Sequence, residues 1–313
     1  MLSENARGAI FMMAAMASFV VNDTLMKLVF AELPLFQSIF LRGILSTLAL
    51  VLIAWWMGVL HIPKLNGDRW MVALRVVAEC GSTFFFLTAL FHMPLATLTA
   101  ILQSAPLTIA LAGALFLREP VGWRRFVAIG IGFLGVILIV RPGPEGMDAY
   151  VAYALCAVAC VTLRDLVTRR MPRAVPSMLI AVTTAAGVTV FATLGALAED
   201  WVKPTMTTWI YLGGAVVFIL AGYLLSILAM RVGELGFVSP FRYTGLVWAL
   251  VLGLLVFGDW PDALTGIGAA LIVGTGIFTF YRERRMARKL ARFDPGRAVD
   301  NPPDSPYTAR TRG

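Results

Sequence analysis

Apolar residues run through this chain in long blocks, and polar residues are confined to short gaps between them. About 20 apolar residues in a helix cross a hydrocarbon core of about 30 Å. On that measure the pattern predicts ten spans: 8–30, 34–57, 70–91, 94–117, 121–141, 147–168, 176–198, 207–230, 234–257 and 263–281. The connections are short and carry helix punctuation at Met93-Pro94, Glu119-Pro120 and Pro142-Gly143-Pro144,. They leave no room for a soluble catalytic domain. After Tyr281 the pattern changes to Arg282-Glu283-Arg284-Arg285-Met286-Ala287-Arg288-Lys289, then to Pro, Asp, Ser and Arg. The tail, 282–313, reads as a basic helical extension against anionic lipid, disordered beyond about Asp294.

Composition agrees with the blocks. With 59% hydrophobic and 14% charged residues and a mean hydropathy of +0.82, the chain lies outside the soluble-domain range. It is an all-α integral membrane protein. The net charge of +8 is topology rather than a nucleic-acid surface. Placing the N-terminus in the cytoplasm puts Arg7, Lys64, Arg69, Arg118, Arg124, Arg125, Arg169, Arg170, Arg173 and Arg231 on the inner side, and only Lys27, Arg141 and Lys203 outside. By the positive-inside rule both termini are cytoplasmic. The first block exceeds the h-region of a signal peptide and is read as a retained helix. Cys80, Cys156 and Cys160 read as buried small hydrophobes.

The second half echoes the first. Asp23, Lys27 and Pro34 return 142 residues on as Asp165, Arg169 and Pro176. At an offset of 140, Leu95-Ala96 falls on Leu235-Gly236, Gly113 on Gly253, Leu115 on Leu255 and Glu119 on Asp259. Five spans per unit is an odd number, so sequential copies enter the membrane from opposite sides. The expectation is two inverted five-helix repeats, 8–141 and 147–281, an arrangement that lets one central site face either side.

A family resemblance rests on several segments together: Asn22-Asp23 with Lys27 at the end of the first span, Leu41-Arg42-Gly43, Leu117-Arg118-Glu119-Pro120 and Phe257-Gly258-Asp259-Trp260-Pro261. With the two five-helix units, they resemble the drug/metabolite transporter superfamily in its EamA-like branch, over residues 8–281. The resemblance implies ten helices around a central cavity and alternating access. Relatives carry amino acids, vitamins, nucleotide-like metabolites, amines and drugs, so it does not imply one substrate. Many carry a Trp-containing motif where this chain has Phe19-Val20-Val21-Asn22-Asp23.

Ionisable residues inside the spans are the candidates for chemistry, because charge in hydrocarbon is costly unless paired, hydrated or used. At 1.5 Å per residue, Asp23 lies about 22 Å from the inner edge of the first helix and Arg42 about 12 Å from the outer edge of the second. The two are placed to pair. Arg75 and Glu79 share a helical face with Ser82, Thr83 and Phe86, and Ser239, Arg242 and Tyr243 share another; these form a second, inner cluster. The proposed substrate-binding set is Asn22, Asp23, Arg42, Glu79, Gln103, Arg242 and Tyr243. Pro106 and Pro240 mark helix breaks whose backbone can face a ligand. Asp23 and Glu79 are the candidate proton carriers, and Arg42 and Arg242 the candidate binders of a carboxylate, phosphate or polarised carbonyl.

Competing readings apply to each. Arg75 and Glu79 suit a structural pair, Lys27 suits snorkelling to the outer surface, and Asp165 with Arg169 suits the cytoplasmic edge of the sixth helix. Gly130, Gly132 and Gly135, with Gly266, Ala270 and Gly274, supply small surfaces for helix contact within the scaffold or in a homodimer. No metal, cofactor or catalytic set is expected. The leading expectation is a secondary active transporter of a small polar organic metabolite at the cell inner membrane, coupled to protons or working by exchange. The substrate classes in view are a vitamin such as riboflavin, an amino acid or an adenosyl compound. A membrane-embedded enzyme and a channel are the alternatives.

Overall fold

A computed structural model describes residues 3–56, 58, 69–116, 123–141, 148–171, 177–233 and 235–293. Every regular element among them is helical: α1 Glu4–Val29, α2 Leu35–Trp56, α3 Arg69–His92, α4 Leu95–Leu102, α5 Ala105–Phe116, α6 Trp123–Val140, α7 Ala149–Arg170, α8 Ser177–Ala196, α9 Met206–Val232, α10 Leu235–Val238, α11 Thr244–Leu252 and α12 Ala263–Phe293. A 3-10 turn, Ser239–Tyr243, joins α10 to α11, and a π turn, Gly253–Phe257, follows α11. Helix starts have local causes. Ser3, Asp148 and Thr205 accept from the backbone N–H of Ala6, Tyr150 and Thr208, satisfying donors that a helix leaves open,.

Among the described residues, eight helical stretches are long and apolar enough to span a bilayer, with α4–α5 and the stretch Ser239–Phe257 each counting as one. Two shorter apolar stretches, Phe126–Val140 and Ala263–Thr279, stand where the sequence predicts the fifth and tenth spans. Arg124-Arg125 and Arg282 delimit these runs. The basic segment after Tyr281 continues α12 to Phe293, while the end from 294 lies outside the described residues. Large apolar side chains such as Leu52, Trp56, Leu194 and Leu224 cover the outside of the bundle. In water such a surface would associate; in a bilayer it is solvated by lipid.

The dominant helix pairs are α1 with α9, α3 with α7, α2 with α8, and α6 with α12. Each joins the first half of the chain to the second. The closest approach is at α6–α12, where a Cβ added to Gly135 would lie 2.6 Å from the carbonyl oxygen of Gly268, and one on Gly268 2.5 Å from that of Gly135. Gly132 is similarly confined, by Leu107 and Thr275. Around Gly130, Gly266 and Gly274 there is open space. The small residues expected at this contact are thus partly displaced in register: Gly268 faces Gly135, and Gly266 and Gly274 do not.

Two spans are broken partway along. α4 ends at Leu102 and α5 starts at Ala105, with Pro106 in its first turn; the second break is the 3-10 turn holding Pro240. Proline fits both places, since it lacks the N–H that a continuous helix needs. The side-chain amide of Gln103 donates through Nε2 to the backbone oxygen of Arg242 at 3.1 Å and ties one break to the other.

Candidate functional site

Ionisable side chains from α1, α2, α3, α7 and the second break meet inside the bundle. Glu79 on α3 is the hub. Arg164 of α7 donates through Nη1 to both carboxylate oxygens at 3.4 Å, and Arg75, one turn before Glu79, lies 3.9 Å away. Arg164 also donates through Nε to Asp165 at 2.9 Å. Arg75 extends the lacing across helices, donating to Thr168 at 3.0 Å and to Thr184 of α8 at 2.6 Å. Planar guanidinium forks suit this work because each serves several acceptors at once.

Asp23 on α1 accepts from the Asn22 amide at 2.9 Å. Asn22 is buried, and its own carbonyl Oδ1 meets no hydrogen-bond partner among the described residues. Arg42 stands in the electrostatic field of Asp23, Tyr223 and Glu79. No ion pair within 4 Å links Asp23 to Arg42 among the described residues, so the expected pair is a coupling through space rather than a bridge. Arg42 feels both carboxylates, and that electrostatic influence links the two clusters expected from sequence.

Arg242 completes the network. Its guanidinium is solvent-accessible, feels Asp165 and Arg164, and has no hydrogen bond or ion pair among the described residues. Tyr243 points elsewhere: it is buried, with its hydroxyl against Gly276 of α12, and packs the break onto the scaffold. Beyond Glu79 on α3, Phe84 stacks on Phe36 at 5.7 Å and meets Phe191, Phe85 and Tyr153. Tyr223 meets Phe19 edge-on at 5.3 Å. Aromatic surface therefore adjoins the charges.

Arg164 and Tyr223 are absent from the sequence-derived set. The signal for Arg164 was present: it lies in an apolar block and shares a helical face with Thr168 at i+4,. Its neighbour Asp165 bonds Arg164 and acts on Arg242. For Tyr223 only a lone phenol in an apolar helix marked the place.

Lys27 has protein partners. It is 16% exposed, donates to the backbone oxygen of Met93 at 2.6 Å, lies 3.8 Å from Asp259 and sits 4.9 Å above the Phe257 ring. A carbonyl, a carboxylate and an aromatic face together replace the water that snorkelling would seek. At the same end, Glu199 accepts from the backbone N–H of Phe36 and Gln37, and Gln37 exchanges two hydrogen bonds with Val202. A separate cavity of about 580 Å³ lies between α3, α5, α6 and α7, lined by apolar side chains such as Leu111, Phe133 and Leu163 with Arg170 at one end. It lies apart from Glu79 and Asp23, and its apolar lining suits a lateral groove.

An all-helical, multi-span membrane protein with a polar network enclosed among its helices is the architecture of a membrane transporter. The EamA-like transporter family model matches residues 6–141 and again 149–281, and the chain belongs to that family. It is 24% identical to the S-adenosylmethionine uptake transporter of Rickettsia prowazekii, over 89% of this chain and 94% of that one. It is 25% identical to the riboflavin transporter of Vibrio cholerae, over 90% and 96%. The pseudopaline exporter of Pseudomonas aeruginosa is 28% identical over 85% and 93%. A crystal structure 20% identical in sequence superposes with a TM-score of 0.61 over 89% of this chain and 98% of the other, a likeness of fold.

Proposed function

We propose that this protein is a secondary active transporter that moves a small polar organic metabolite across the inner membrane by alternating access. The substrate classes are a vitamin such as riboflavin, an amino acid or an adenosyl compound, and the cycle is proton-coupled or an exchange. The observation that carries the reading is the charge network around Glu79, built from both halves of the chain and adjoining an aromatic wall and two tied helix breaks. Charge is retained inside a membrane bundle where it serves substrates or ions.

The proposed architecture is ten membrane helices in two inverted repeats, 8–141 and 147–281, with both termini and the tail 282–313 in the cytoplasm. The helix pairs support it. Exchanging α1 with α7, α2 with α8, α3 with α9 and α6 with α12 turns the α1–α9 pair into α7–α3 and returns α2–α8 and α6–α12 to themselves. The twofold match to the family model supports it as well.

In this reading Asn22, Asp23, Arg42, Glu79, Gln103 and Arg242 line the site, joined by Arg164 and Tyr223. Tyr243 supports the break behind Arg242. Asp23 and Glu79 are the proton carriers. The named relatives include both uptake and export proteins, so transport direction is not inherited from the family. Purified protein in liposomes loaded with a candidate metabolite tests the proposal. Saturable uptake with counterflow supports it, whereas unsaturable conductance or chemical conversion of the solute rejects it.

A further inference from the structure

We infer that the site selects substrates carrying a carboxylate, and that Arg242 is the residue that receives it. This rests on the transporter reading above and narrows its substrate class. Among the described residues of the network the carboxylates are Asp23, Glu79 and Asp165, and the guanidiniums are Arg42, Arg75, Arg164 and Arg242. One positive charge is left over. Glu79 holds Arg164 and Arg75 directly, Asp165 holds Arg164, and Asp23 faces Arg42.

Among the described residues, the one carboxylate that acts on Arg242 is Asp165, which is already bonded to Arg164. Arg242 is also presented rather than packed away. The 3-10 turn carries it, Gln103 fixes its backbone oxygen from the opposite break, and its side chain stays accessible. An unpaired guanidinium within a membrane bundle is costly, and a ligand carboxylate is the planar two-oxygen acceptor that its fork matches. A ligand amine is accommodated at the other side of the network, where the Asp23 carboxylate sits beside the unpartnered Asn22 oxygen. A zwitterion with a flat apolar part suits the whole arrangement. An uncharged vitamin leaves Arg242 unanswered.

Binding to purified full-length protein, read by thermal shift and calorimetry, decides the matter with pairs differing only in the carboxylate. The probes are S-adenosylmethionine against its decarboxylated form, tryptophan against tryptamine, and riboflavin as the ligand without a carboxylate. The expected result is at least tenfold tighter binding of the acid in a pair. Arg242→Gln should erase that gap and Arg242→Lys should restore part of it. Equal binding of a decarboxylated twin, binding of riboflavin alone, or a gap that survives Arg242→Gln overturns the inference while leaving the transporter reading in place. Silence from all five probes counts against the proposed substrate classes themselves, and the inference falls with them. If Arg242→Gln fails to fold, the wild-type pairs and Arg242→Lys still give the answer.

Discussion

Ser104 and Thr244 stand 140 residues apart and make the same bond. Each hydroxyl donates, at 2.6 Å, to the carbonyl three residues earlier, Ile101 and Phe241 respectively. Both carbonyls belong to turns where a span is interrupted, so the hydroxyls supply hydrogen bonds where the regular helical pattern is interrupted. Ser104→Ala and Thr244→Val should each lower stability by about 1 kcal/mol. Thermal unfolding of the purified variants checks this, and a loss at one break only would argue against their equivalence.

Glu79 answers two guanidiniums, and removing its charge should be felt twice. Glu79→Gln is expected to destabilise by about 2–3 kcal/mol, reduced from the fully buried case because water reaches part of the pair. Adding Arg164→Met should recover much of that loss, a coupling measurable by a double-mutant cycle. In transport, Glu79→Gln and Asp23→Asn should each depress gradient-driven uptake more than exchange. Unchanged pH dependence in both variants would reject their role as proton carriers.

Gly135 has a backbone carbonyl where its Cβ would be, and a carbonyl cannot move aside as a side chain can. Gly135→Val should cost about 1–3 kcal/mol by forcing α6 from α12. Gly130→Ala, in open space on the same helix, should be neutral or slightly stabilising. Comparing the two melting temperatures separates the α6–α12 contact from helix propensity.

Lys27 links α1 to the end of α3 and to Asp259. With the ammonium removed in Lys27→Met, a cysteine placed at the nearby buried Phe30 should be labelled several-fold faster by an impermeant maleimide. An unchanged labelling rate would show that the neighbouring packing holds this end shut by itself.

Asp262 accepts from the Thr265 backbone N–H and from Arg141 at the start of α12. Hydrogen bonding to the Thr265 hydroxyl, then to Arg141, holds its carboxyl at about 2, below the usual 3.8. A depressed folded-state value means the contribution is present above about pH 4, where the unfolded group is ionised, and is lost as pH falls through about 2. The melting difference between wild type and Asp262→Asn should therefore be constant near pH 6 and shrink below pH 4. Being exposed, Asp262 gives a small, salt-sensitive effect.

Spans and breaks were legible because each depends on local information: about 20 apolar residues, a proline, or a charge at an end. Glu79, Asp23, Arg42 and Arg242 were visible for the same reason, since charge in an apolar block is conspicuous. Their partners were not. Arg164 reaches Glu79 across 85 residues of sequence, and its role follows from how α7 rotates against α3, which no single-helix pattern contains. The partners of Lys27, the Met93 carbonyl and the Phe257 ring, likewise arrive from distant parts of the chain. The slip from Gly266 to Gly268 has the same origin: which small residue faces a partner is fixed by helix rotation.

The pairing of α1 with α9, α3 with α7, α2 with α8 and α6 with α12 has a consequence for biosynthesis. When residue 141 leaves the ribosome, helices α1 to α6 are in hand and none of their principal partners exists. The early helices must wait in lipid, mutually unsatisfied, until the second half is inserted and slots between them. A chain stopped midway is thus half of each of these four helix pairs rather than a smaller transporter, and the two halves, made separately in one membrane, are built to find each other.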